Sequence, residues 1–198
     1  MCIRDRWSDG LPLLPPTKER VDWIMTGTDL PRDKEIGRIM SRGGVATVEQ
    51  IAVALAMAGG RPEYLPVLIA AVEGLCHPKF GLASWQATSR SNYPVVIVNG
   101  PIGKQIRLSK TFGLLGPDSQ RPAGGRIGRA IRLILQDMGG ATPGMGTMST
   151  YGAMRYTNAV FAEDEENLPK GWEPLNTEYG YARGTNTVFL NLSCLSVN

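Results

Sequence analysis

"YPVVIVNGP", residues 93–101, sets four β-branched residues in a row, Val95 to Val98, and then stops on Asn99-Gly100-Pro101. A short unbroken apolar run of this kind predicts a strand buried on both faces, closed by a turn. Such a strand needs apolar elements around it, and the flanking sequence supplies them.

Upstream, "DGLPLLPPT" (9–17) is too rich in proline for a helix and predicts an extended arm laid over apolar surface. Thr17 caps a short helix with Val21, Ile24 and Met25 on one face. "TGTDLPRDKEIGR" (26–38) reads as loop with at most one helical turn. Thr47 and Gln50 have the spacing of a capping box, and the segment that follows, "VEQIAVALAMA" (48–58), is apolar almost all round, as a buried helix is. Gly59 and Gly60 stop it. Leu65, Leu68, Ile69, Val72 and Leu75 then recur at helical spacing, with Pro66 in the first turn.

Nearer the opening strand, "GLASWQAT" (81–88) reads as a second β-type run. Beyond it, "PAGGRIGRAIRLIL" (122–135) predicts an amphipathic helix over about 126–138, ended by Gly139-Gly140. "RYTNAVFAED" (155–164) and "TNTVFLNL" (185–192) are rich in β-branched and aromatic residues and predict two more strands. Strict βαβ alternation is absent. The expected fold is therefore α+β or mixed α/β, an N-terminal helical hairpin packed on a mixed β-sheet.

A chain of 198 residues with 42% hydrophobic residues suits one domain with a real core. The net charge of +3 is too small, and too little clustered, to indicate nucleic acid, and no apolar stretch has a membrane span's length. Met1 to Arg6 look like adapter-derived sequence from a metagenomic contig and are set aside. Without their two arginines and one aspartate the net charge is +2. The domain is then 7–198, and its abrupt ending in "NLSCLSVN" leads us to expect that it is C-terminally truncated. No secretory signal is visible, and the remaining cysteines, Cys76 and Cys194, form no CxxC pair. A cytoplasmic setting follows by default. Cys76 neighbours His77, the single histidine; as a metal site the pair needs further ligands from acidic residues, so no metal ligand is named and the use of a metal stays open.

The candidate chemistry gathers at three places. The helix begun by "PAGGRIGRA" has no Ser, Thr, Asp or Asn cap, and it carries Arg126 and Arg129 against its own dipole. Together with Gly124, Gly125 and Gly128, these arginines make a candidate cradle for a phosphate or carboxylate. An outward basic stripe through Arg132 is the competing reading. The acidic run Glu163-Asp164-Glu165-Glu166 offers paired carboxylates for a divalent cation or for acid/base work. Alternation sends Glu163 and Glu165 to one face and Asp164 and Glu166 to the other. Glu163 and Asp164 are the candidate catalytic residues. Asn99 stands at the carboxyl end of the opening strand, where ligands of α/β sheets collect.

Several blocks together resemble a known family: Asp9-Gly10-Leu11-Pro12 with Pro15-Pro16-Thr17, Ala58-Gly59-Gly60-Arg61-Pro62-Glu63-Tyr64-Leu65-Pro66, and Gln86-Ala87-Thr88. They continue through Asn99-Gly100-Pro101, Ile127-Gly128-Arg129-Ala130, Ala162-Glu163-Asp164-Glu165-Glu166-Asn167 and Trp172-Glu173-Pro174-Leu175. Over about residues 9–190 the chain looks like the large bacterial domain found with the UGSC (seleno)protein domain. The resemblance implies a thiol-active partner domain and no particular reaction; the Cys-Gly-Ser-Cys motif of that companion is missing here. Two functions are expected on these grounds. One is a cytoplasmic enzyme or enzyme-subunit domain binding a small anionic metabolite at the glycine-rich helix start. The other is a non-catalytic scaffold that docks the thiol-active partner. The reaction, any cofactor and the choice between monomer and homo-oligomer stay open.

Overall fold

The structure is a computed structural model and describes residues 8–115, 118–150 and 159–194. The expected tail over 1–6 lies outside them. After a bend over residues 8–11, residues 12–17 run as an arm without regular structure, and the Thr17 hydroxyl then accepts the Arg20 amide to cap α1 (Lys18–Met25), whose Val21, Ile24 and Met25 are buried. A two-stranded antiparallel hairpin follows, β1 (Glu35–Ile39) and β2 (Gly44–Thr47). The first of these strands corrects the loop expected over 26–38. Its alternation is blurred by Gly37, which has a packing reason: a Cβ there would lie 2.6 Å from Cys76 Cβ.

The helical hairpin forms as expected. In α2 (Val48–Met57) the capping box is complete, with the Gln50 amide donating to Thr47 Oγ1 at 3.3 Å and the Thr47 amide to Gln50 Oε1 at 3.2 Å. Gly59, in a left-handed conformation at φ 76°, ends the α2 segment. After a turn of 3-10 helix at Pro62–Tyr64 comes α3 (Leu65–Cys76). Ile51, Leu55, Leu65, Leu68 and Leu75 are fully buried between these two helices and their neighbours, each worth about 1.5–3 kcal/mol of transfer from water.

The second correction falls at "GLASWQAT", which is α4 (Leu82–Ala87). Gly81 sits at φ 67° before it, and Leu82, Trp85 and Gln86 are buried at the i, i+3, i+4 spacing of a helix. The tryptophan and threonine suggested a strand. The spacing, set by contact with the core, decides for a helix.

The opening run is β3 (Asn92–Asn99), the middle strand of a mixed three-stranded sheet in the order β4, β3, β5. β4 (Val160–Ala162) pairs with it in parallel, and β5 (Thr187–Cys194) antiparallel over the full length, from Asn92 opposite Cys194 to Asn99 opposite Thr187. Burial on both faces is only partly realised: Val96 and Val98 are fully buried, Val95 and Ile97 half-buried. The covered face lies under α3, which touches β5, and α6 (Ala123–Asp137), which touches β4 and α3. Between β3 and β4 the chain also makes the short α5 (Pro101–Gln105), and between β4 and β5 the single turn α7 (Leu175–Glu178). One βαβ unit, β3 to β4, is thus embedded in an α+β fold. Its loops open beyond the carboxyl end of β3.

Candidate functional site

α6 starts at Ala123, ahead of the start expected at about 126, so Gly124 and Gly125 lie inside its first turn rather than before it, and no side chain caps it. Its residues serve the fold there. Gly124 is buried, and a Cβ on it would collide with the Val160 carbonyl oxygen, so glycine is needed for α6 to lie against β4. Gly128 is buried and Gly125 half-buried in the same helix. Arg126 donates to the Gly59 carbonyl at the turn between α2 and α3. Arg129 forks onto Asp9, Nε to Oδ2 at 3.1 Å and Nη2 to Oδ1 at 2.9 Å, and donates from Nη1 to the Pro12 carbonyl at 2.8 Å. Arg132 donates to the Ala141 carbonyl at 3.2 Å, and Gln136 to the Ser8 carbonyl at 3.1 Å. Arg129 and Gln136 strap the N-terminal arm to the helix, while Arg126 and Arg132 tie it to the turn at Gly59 and to Ala141. Burial alone pushes the Asp9 carboxyl up, but the Arg129 hydrogen bonds and charge outweigh it and hold the group below its ordinary value.

A different arrangement stands at the carboxyl end of β3. Asn99 is fully buried, and its Nδ2 donates both to Glu163 Oε2 and, at 3.1 Å, to Glu165 Oε1. The Gly100 amide donates to the same Glu165 oxygen at 2.7 Å, and the Leu175 amide to Glu163 Oε2 at 2.9 Å. Gly100 sits at φ 86°, where a Cβ would meet the Thr185 carbonyl at 2.7 Å, so only glycine lets β3 turn under the β5 approach. The alternation expected for the acidic run holds. Glu163 and Glu165 meet at Asn99, whereas Asp164 and Glu166 both reach Lys110 Nζ, at 2.8 Å and 2.7 Å. The Lys110 and Asn167 hydrogen bonds keep Asp164 below the usual carboxylate range, Lys110 does the same for Glu166, and the two acids raise Lys110 in return.

These residues border a cleft of about 710 Å³ that Gly100, Ala162, Glu163, Glu165 and Glu166 line from the strand ends. Lys104, Arg107, Lys110, Arg121 and Arg183 line it from three separate segments. Arg107 has a left-handed backbone, φ 59°, just past α5, where glycine or asparagine is usual and another residue bears roughly 1 kcal/mol of strain. Apart from Lys110, none of the five cations has an ion pair or side-chain hydrogen bond among the described residues. Arg126 and Arg129 do not line this cleft. Of the expected site residues, the fold therefore brings Asn99 and Glu163 together. It sets Asp164 on Lys110 beside them, and it sends Gly124 to Arg129 to the opposite business of packing and strapping.

Sequence reasoning missed the cations. Its available signal was the three-residue spacing of Lys104, Arg107 and Lys110 directly after Asn99-Gly100-Pro101; Arg121 and Arg183 had none.

Cys76 is half-buried against Gly37, and burial, reinforced by the charge of Glu73, pushes its thiol up to about 11, far from a neutral-pH thiolate. His77 Nδ1 accepts the Lys79 amide at 3.2 Å and caps a turn. Among the described residues no three His, Cys, Asp or Glu side chains converge as metal ligands, and no single helix is long and apolar enough to cross a membrane. No family model, curated protein or solved structure matches the chain, so its functional reading rests on this geometry.

Proposed function

We propose that the chain is a cytoplasmic enzyme or enzyme-subunit domain that holds a small anionic metabolite in the cleft beyond β3. The reading keeps the anionic ligand expected from the sequence and moves it from the α6 start to the strand ends. One observation carries it. Three arginines, Arg107, Arg121 and Arg183, line one cleft without an acidic partner among the described residues, with Lys104 beside them in electrostatic reach of Glu166, while the carboxylates next to them are tied to neutral N–H donors or to Lys110. Guanidinium forks suit carboxylate and phosphate. Glu163, half-buried and oriented by Asn99 and the Leu175 amide, occupies the position from which an acid/base group serves a ligand so held.

The test is thermal unfolding with orthophosphate, sulfate, succinate and citrate. A ligand at about a hundred times its dissociation constant stabilises the fold by roughly 2.7 kcal/mol. That gain should shrink in Arg107→Ala, Arg121→Ala and Arg183→Ala and persist in Arg126→Ala. Equal stabilisation of the parent and the triple variant rules the cleft out.

A second reading, a scaffold docking a thiol-active domain of the UGSC type, is favoured by exposed aromatics on the segment between β4 and β5. Trp172, Tyr179 and Tyr181 are 66%, 68% and 53% accessible, and Tyr179 leans on Phe189 with ring centroids 4.9 Å apart. Co-purification with such a domain, abolished by Trp172→Ala and Tyr181→Ala, is its mark.

A further inference from the structure

The cleft holds charges of both signs and, apart from Lys110 paired with Glu166, keeps them from pairing among the described residues. Glu163 and Glu165 line it half-buried, and no Lys or Arg among the described residues pairs with either. Lys104, Arg107, Arg121 and Arg183 line the same cavity as exposed side chains. Flexible cations collapse onto neighbouring carboxylates when nothing else competes and geometry permits. Here the carboxylates are pinned instead by a fully buried asparagine and two backbone amides, and each keeps a second oxygen, Glu163 Oε1 and Glu165 Oε2, that receives no donor among the described residues. Asn99 moreover spends its amide group on two like charges at once and leaves its own Oδ1, buried, without a partner among the described residues. Two carboxyl groups that share one neutral donor have no positive charge between them among the described residues, and an incoming cation supplies one. An ammonium group has three donors and no acceptor, which matches free carboxylate oxygens.

We propose that the ligand of this cleft is a zwitterion. Its ammonium group is received by Glu163 and Glu165 at the strand ends, and its carboxylate or phosphate by Arg107, Arg121 and Arg183 at the exposed side. The inference rests on the reading that the cleft takes an anion and adds the second charge.

Isothermal titration separates the two. The probes are glycine, β-alanine, γ-aminobutyrate and ε-aminocaproate, each against acetate, propionate, butyrate or caproate of the same length, together with phosphoethanolamine against ethyl phosphate. At low ionic strength at least one zwitterion should bind roughly tenfold tighter than its deaminated counterpart. Glu165→Gln should erase that preference while the deaminated acid still binds, and Arg183→Ala should weaken both. Equal affinity for the members of every pair overturns the zwitterion and leaves the anion reading standing. A preference that survives in the Glu163→Gln, Glu165→Gln double variant overturns it as well. Failure of every probe to bind the unaltered chain overturns both.

Discussion

Arg129 and Asp9 show how a side chain chosen on local grounds acquires a distant partner. The pair is nearly enclosed, with side-chain exposures of 17% and 5%. Removing one member leaves the other buried and uncompensated, so Asp9→Asn should lower stability by about 2–3 kcal/mol in urea titrations at neutral pH. The pH dependence has a definite sign. Because the folded Asp9 carboxyl lies below its ordinary value, its contribution is complete above that value and is lost as the pH falls through the lowered one. The gap between parent and Asp9→Asn should therefore stay constant down to about pH 4 and close below it; a gap that widens on acidification refutes the assignment. Gly124 offers a second test at this scale. Alanine ordinarily gains up to about 1 kcal/mol over glycine in a helix. Contact with the Val160 carbonyl reverses the sign, and Gly124→Ala should cost about 1–3 kcal/mol. A rise in melting temperature would return Gly124 to the role of a flexible lead-in.

For the elements, α2 is the plainest case of local control. Its capping box satisfies two amides reciprocally, so Thr47→Ala should cost about 1 kcal/mol in chemical denaturation, and Thr47→Ser much less. An unchanged midpoint for the alanine variant means that water replaces the hydroxyl. Such features were legible because their partners lie within one turn: the Thr17 and Thr47 caps, the Gly59 stop, the apolar periodicity of α2, α3 and α6. β1 and α4 were not. The alternation of β1 is broken by Gly37 for the sake of Cys76, and the helical register of α4 is confirmed only by what Leu82, Trp85 and Gln86 touch. The site divides in the same way. Asn99 and Glu163 could be found because strand ends and alternation are local rules. Arg121 and Arg183 reach the cleft by topology alone, and the unsatisfied look of Arg126 and Arg129 vanished once Gly59 and Asp9 arrived from other parts of the chain.

At the scale of the whole molecule, β3 is bonded on both sides, and Val96 and Val98 are sealed under the helices. Its amides should be among the last to exchange with deuterated solvent, slower than those on the outward side of β5, an edge strand of the sheet. Comparable rates in the two strands would place the stable unit in the helical hairpin instead. The strap over α6 bears on a different matter, the direction in which a ribosome delivers the chain. Asp9 and Pro12 are joined to Arg129 across 120 and 117 positions, and Ser8 to Gln136 across 128. The arm thus emerges well before its anchor and must wait, untethered, until that anchor has been translated. Closure of that strap marks the moment when synthesis has passed α6, and a chain stalled before residue 129 carries its proline-rich leader loose.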